Sequence, residues 1–204
     1  MSGDGGSEGQ AGVARVEAFS DGVLAILITI MVLELKAPEV EGLHALWALW
    51  PTFFAYVLSY MYIAIYWVNH HRLFSHARAV TNELVWANMA LLFALSLLPF
   101  TTAYIGRHLS SAPAAAIYLG SLLSPSLAYY WVQKVIRKTG RQDAAAQTYY
   151  RATNRKGLAA SIVYAFAVPL CFVSSGIGLT LAGLVGLTWI LPWGPVDRLF
   201  AGRG

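Results

Sequence analysis

Arg15, Glu17, Ser20 and Asp21 stand at the head of an apolar run, "ARVEAFSDGVLAILITIMVLELK", which carries a lone threonine, Thr29, near its centre. An ionised carboxylate close to hydrocarbon needs a partner or a water-filled cavity, so Asp21 marks either a packed network or an aqueous path. Partners are at hand in "YWVNHHRLF", which holds Asn69, His70, His71 and Arg72, and in Glu83 and Asn88 further on. Imidazole and amide donors there can hydrogen-bond Ser20 and Asp21 and fix the base of the first helix. His70, His71 and His76 also raise a metal site. Adjacent histidines on a helix point about 100° apart, however, and no HExxH pattern or cysteine ligand supports them. Histidine switches readily near neutral pH, so a proton relay through Asp21 and the His70/His71 region is the other chemistry these groups allow.

Helical geometry separates two faces of that first run. At about 100° per residue, Gly22, Ile26, Thr29 and Leu33 keep within a stripe of about 60°, while Glu17, Ser20 and Asp21 point away from it. The stripe opens with no side chain at Gly22 and then presents large, polar-tipped and large residues. The polar face must meet other helices.

The elements that position these groups are membrane spans. The 204 residues are 57% hydrophobic and 12% charged, with a mean hydropathy of +0.56. Apolar runs near the length needed to cross a hydrocarbon core recur along the chain. Six spans are predicted, at residues 16–35, 46–68, 84–105, 114–135, 157–175 and 177–193, giving an all-α integral membrane domain over 13–204. Residues 1–12, "MSGDGGSEGQAG", lack apolar anchors and read as a disordered tail. A cleaved signal peptide is the competing reading of the first run, but Glu34 and Lys36 follow it directly and no small-residue cleavage site is evident.

Of the 14 lysines and arginines, all but Lys36 and Arg107 fall on one side of this layout. The positive-inside rule puts that side, and with it both termini, in the cytosol of a cell-membrane protein. The net charge of +4 flanks apolar runs as topology requires, and does not point to nucleic acid. The loop between the fourth and fifth spans, residues 133–156, holds seven basic residues, and attraction to anionic lipid is plausible at 134–156 alongside the topological explanation.

Smaller features read as packing. Cys171, the single cysteine, lies inside a span. Gly178, Ala182 and Gly186 recur at a four-residue spacing that lets helix backbones approach closely. "SSGIG" leaves almost no loop between the last two spans. Prolines at 51, 99, 125 and 169 start or interrupt spans, where neighbouring groups must satisfy freed carbonyls. No phosphate-binding glycine loop, no G-x-S-x-G and no paired carboxylates within the membrane appear, so nothing marks an enzyme or a resident cofactor.

Arg15, Phe19, Ser20 and Asp21 form R-x-x-x-F-S-D, which resembles the signature opening the first helix in the transmembrane protein 175 family of potassium channels. "GVLAILITIMVLEL", "WVNHHRLF" and "NMALLFALSLLPF" are also similar to that family. The resemblance implies a cation channel without a carbonyl filter, built as a homotetramer of single six-helix repeats around the first helices. It implies a constriction at Ile26, five positions after the aspartate, and a polar ring at Thr29, eight positions after it. Both fall on the geometric stripe, with Gly22 lining the same path and Leu33 offering a second apolar ring. Arg15, Phe19, Ser20 and Asp21 are expected to brace the helix base together with His70, His71 and Asn88.

The expected function is passive K⁺ permeation with modest preference over Na⁺, K⁺ being the permeant ion. The outer-mouth acids Glu34, Glu39 and Glu41 would raise local cation concentration. A proton-permeable channel, a small proton-coupled transporter using Asp21 and the His70/His71 region, and a membrane enzyme or scaffold with a histidine site are the alternatives.

Overall fold

The computed structural model describes residues 4–190. Among them the chain forms eight helices and no strand: α1 (Asp4–Val32), α2 (Leu43–Ala48), α3 (Trp50–Phe74), α4 (Asn82–Ser96), α5 (Leu98–Arg107), α6 (Ala112–Thr139), α7 (Ala144–Leu170) and α8 (Ser175–Ile190). Helices Trp50–Phe74 and Asn82–Arg107, the latter joining α4 to α5, are each long and apolar enough to cross a membrane. Ser175–Ile190 is a shorter apolar helix. Trp193, Arg198 and Arg203, which entered the span and charge assignments, lie outside the described residues.

Two expectations are corrected. Residues 4–12 are helix, not a disordered tail. Gly9 and Gly12 let this extension of α1 lie against the α3–α4 connection, where a Cβ at Gly9 would stand 2.8 Å from the Arg78 carbonyl oxygen. The basic segment 133–156 is likewise not a loop. α6 continues to Thr139 and α7 starts at Ala144, so only residues 140–143 connect them. Gly140 closes that turn: its N–H bonds the Ile136 carbonyl at 2.7 Å, and a Cβ there would collide with His76 and Ile136 backbone. Asp143 then caps α7 by accepting the Ala146 N–H at 2.9 Å.

The proline at 99 divides the third predicted span into α4 and α5, because it has no N–H to offer the preceding turn. Buried hydroxyls cluster beside the break. Thr102 Oγ1 lies 2.6 Å from the Leu98 carbonyl oxygen and 2.6 Å from Ser59 Oγ, which also meets Tyr118 Oη at 2.9 Å. This cluster ties α3, α5 and α6 where unsatisfied polar groups would be costly. Across the bundle Tyr164 donates to Tyr62 at 2.7 Å, and Tyr62 to the Ala182 carbonyl at 2.5 Å. Gly178 and Gly186 bring α8 against Cys171 and Leu119, and against Met61 and Tyr62. Cys171 is buried, and α7 and α8 form the tight hairpin expected from "SSGIG".

α1 docks mainly on α3, with further contacts to α4 and α5. Its inward face is Ser20, Leu24, Leu27 and Met31, spaced four, three and four residues apart, as one side of an α-helix requires.

Candidate functional site on the first helix

That docking turns the opposite side of α1 away from the subunit. Leu24 and Met31 are 1% exposed, whereas Ile26 is 57% and Leu33 71% exposed. Gly22 and Thr29 are exposed with them, so the whole stripe lies on the bare face. Thr29 donates its hydroxyl hydrogen to the Ile26 carbonyl at 2.9 Å. Its oxygen lone pairs are thereby left for whatever passes the bare face.

Three separate contacts anchor the base of α1. On the side facing α4, Asn88 donates its amide to Ser20 Oγ at 2.9 Å, and Ser20 donates to the Val16 carbonyl at 2.9 Å. His70 Nε2 meets Asn88 Oδ1 at 2.9 Å, and its ring stacks on Phe74 with centroids 4.1 Å apart. On the side facing α3, His71 Nδ1 meets Glu17 Oε1 at 2.7 Å and Trp67 donates its indole N–H to Asp21 at 3.0 Å. Glu17 and Asp21 are four apart on one helix, Trp67 and His71 four apart on the other. Two antiparallel helices meeting side by side give that register.

Ser20, Asp21, His70, His71 and Asn88 are therefore brought to the base of α1, though in distinct pairs. Asp21 is bound by an indole, not by the expected imidazole or amide. Arg15 and Phe19 do not join: both are exposed, and Arg15 makes no hydrogen bond or ion pair among the described residues. Arg15 stands seven residues before Gly22, which returns it to the bare side of the helix. Trp67 was the partner missed, and its four-residue spacing from His71, matching that of Glu17 and Asp21, was the signal for it.

Ser20, Asn88 and His70 form one chain, which shares no hydrogen bond with the Glu17–His71 and Asp21–Trp67 pairs among the described residues, and Asn88 carries no titratable group. Asp21 and His70 share no direct hydrogen bond among the described residues. His76 turns elsewhere, with Nδ1 2.8 Å from the Arg72 carbonyl and its ring stacked on Tyr149. The three histidines thus face three different neighbours. Among the described residues no three ligands converge on a metal position. At the far end of α1, Glu34 Oε2 lies 3.4 Å from Arg107 Nη2. Its charge is offset there and does not act alone as a cation attractor.

The family described as "Endosomal/lysosomal potassium channel TMEM175" matches residues 15–99, a segment running from α1 into the start of α5. A protein named potassium channel from Chryseobacterium sp. (strain P1-3) is 40% identical over 180 residues, covering 87% of this chain and 92% of that relative. The chain belongs to the TMEM175 family. A crystal structure described as a lysosomal potassium-selective channel TMEM175 homolog from Chamaesiphon minutus superposes with a TM-score of 0.79 at 29% identity. It covers 88% of this TMEM175 chain and 96% of the solved one, so the likeness extends over the whole bundle. The human protein named endosomal/lysosomal proton channel TMEM175 is 38% identical over 95 residues, a match reaching only 18% of its length.

Proposed function

We propose that this chain is one subunit of a potassium-permeable cation channel in the cell membrane, with four copies arranged around an axis lined by α1. The observation that carries the reading is the bare stripe of Gly22, Ile26, Thr29 and Leu33, set opposite the docked face of Ser20, Leu24, Leu27 and Met31. A helix that buries one side in its own subunit and leaves a regular apolar-hydroxyl-apolar stripe bare has that stripe free to face a symmetry axis. Six spans with both termini cytosolic accommodate this arrangement. Arg15 and Phe19, bare beside the stripe, are free for contacts with a neighbouring copy.

In such a tetramer Ile26 and Leu33 form two aliphatic necks, which gate by excluding water and ions from a narrow apolar ring. Thr29 contributes a ring of hydroxyl oxygens between them, each with its hydrogen already turned to the Ile26 carbonyl. K⁺ crosses by exchanging part of its hydration for those oxygens. With no stacked carbonyls, discrimination against Na⁺ rests on pore width and dehydration cost, and is modest. No cofactor takes part, and the function is conduction, not catalysis.

The test is a reversal potential from purified protein in liposomes under a K⁺/Na⁺ gradient. A shift toward the K⁺ equilibrium potential is expected, and absence of any cation current counts against the reading. Proton permeation through the same necks is the second reading, favoured by the naming of the human relative. A pH gradient imposed in the same liposomes reads it directly.

A further inference from the structure

A cavity of about 290 Å³ lies between α3, α6 and α7, with Trp189 of α8 in its wall. Most of its lining is apolar or aromatic, including Tyr66, Leu127, Leu158 and Tyr164. Toward the α6–α7 turn, Tyr130, Gln133 and Asn154 are shared with a second hollow of about 10 Å³, which also touches Lys134, Arg137 and Tyr150. That hollow has room for about one oxygen-sized group.

Two of the residues lining the hollow carry unmet polar atoms. Gln133 is 6% exposed and Tyr150 3% exposed, and Gln133 Nε2 and Tyr150 Oη have no hydrogen-bond partner. Buried polar atoms are rarely left so, since each costs its full desolvation. Lys134 and Arg137 stand exposed at the same place, and no carboxylate lines the hollow among the described residues. The nearby acids are each paired with a cation: Glu83 Oε1 lies 3.9 Å from Lys138 Nζ, and Asp143, whose charge reaches Tyr150 together with those of Arg141 and Arg78, has Oδ2 2.9 Å from Arg141 Nε. Two buried donors beside two cations specify an anionic oxygen. The apolar cavity bordered by the same three residues suits a hydrocarbon chain carried by the same molecule.

We infer that this is a binding site for one anionic phospholipid, with a headgroup phosphate oxygen at Gln133, Tyr150, Lys134 and Arg137 and part of an acyl chain in the cavity between α6 and α7. The cavity is just below the range of about 300–1,000 Å³ usual for small-molecule pockets, which suits one chain rather than a whole lipid. Positions near a cytoplasmic headgroup layer favour this occupant, because basic pockets between spans attract anionic heads. The inference deepens the expectation of anionic lipid along residues 134–156, and moves it from a diffuse basic segment to one pocket. Lys156 drops out of the set, since its Nζ lies over the Trp189 ring at 4.7 Å. Nothing in the site touches the stripe on α1, so the two readings stand or fall separately.

Gly157 supplies a clean variant. It lines the cavity, and a Cβ built there meets nothing within 4 Å, so a side chain can start there without a clash and Gly157→Leu adds bulk at the cavity wall. The test uses the purified full-length chain stripped of lipid, titrated with dioctanoyl phosphatidylglycerol, dioctanoyl phosphatidylcholine or inorganic phosphate, and read by native mass spectrometry and thermal shift. Phosphatidylglycerol is expected to bind about tenfold more tightly than phosphatidylcholine, which offers the same phosphate but carries a choline cation that Lys134 and Arg137 repel. Arg137→Gln should remove that preference, and Gly157→Leu should weaken both lipids while leaving the lipid-free melting temperature unchanged or higher.

Equal binding of the two lipids overturns the inference, as does saturation by inorganic phosphate that Gly157→Leu does not affect. So does a loss with Arg151→Gln, on the exposed side of α7, as large as that with Arg137→Gln. No shift with any probe means that water alone fills the hollow. K⁺ flux measured on the same preparation separates each of these results from failure of the channel reading.

Discussion

Asn88 on α4 donates its side-chain amide to Ser20 on α1 at 2.9 Å, across 68 residues of sequence. The same amide group offers its oxygen to His70 on α3, so one side chain joins three helices. With Ser20 held inward, the 3.6-residue period turns Gly22, Ile26, Thr29 and Leu33 outward. The rotation of the proposed pore helix is thus set at its base, by atoms that would never meet an ion.

Asn88→Ala leaves Ser20 Oγ without its donor and His70 Nε2 without its partner, both in buried positions. A loss of about 1–2 kcal/mol is expected, seen as a lower melting temperature of the purified protein. A cycle with Ser20→Ala should give strongly non-additive losses, and additive ones would mean that the pair is not coupled.

Ile26→Asn places an amide in the proposed apolar neck. Lowering the barrier there by about 1.4 kcal/mol raises flux about tenfold, so single-channel conductance in planar bilayers should rise by that order. Unchanged currents would remove Ile26 from the conduction path.

Thr29→Val keeps the shape and deletes the hydroxyl. Loss of about 1 kcal/mol of K⁺ stabilisation predicts a fall of about fivefold in the K⁺ over Na⁺ permeability ratio. Bi-ionic reversal potentials measure it, and an unaltered value would place the selectivity elsewhere.

Asp143 is held below the ordinary aspartate value of 3.8 by the Ala146 N–H it caps and by the Arg141 guanidinium. A carboxylate with a depressed folded-state pKa contributes stability above its unfolded pKa, and that contribution fades as pH falls through the lower folded value. Protection of the Ala146 amide, its exchange rate taken relative to the intrinsic rate at each pH, should therefore hold at pH 5 to 7 and fall below pH 3.8. Asp143→Ala should lack that protection at every pH, and Asp143→Asn should retain most of the cap and lose the pH dependence of the protection.

Residue type and period were enough to read an all-helical chain, a two-faced first helix and the need for polar partners at its base. Amphipathic spacing is local, so a stripe such as Gly22, Ile26, Thr29 and Leu33 is legible before any contact is known. Which face docks is not local. Glu17 and Ser20 are both polar, yet Glu17 meets His71 on α3 while Ser20 meets Asn88 on α4, because α1 lies between those two helices. Arg15 belongs to the opening motif but stands on the bare side, since seven residues make nearly two full turns. The basic segment 133–156 looked like a loop, because charge and polarity alone do not distinguish a solvated helix from a connection. Its helical form rests on Gly140 closing beneath His76 and on the Asp143 cap. The pocket at Gln133 and Tyr150 lay wholly outside sequence reach, because those residues come from different helices and only packing brings them to one hollow with polar atoms unmet. Composition and period determined the helices and their faces; tertiary packing alone decided which face is buried and which polar atoms remain unmet, since both depend on neighbours distant in the chain.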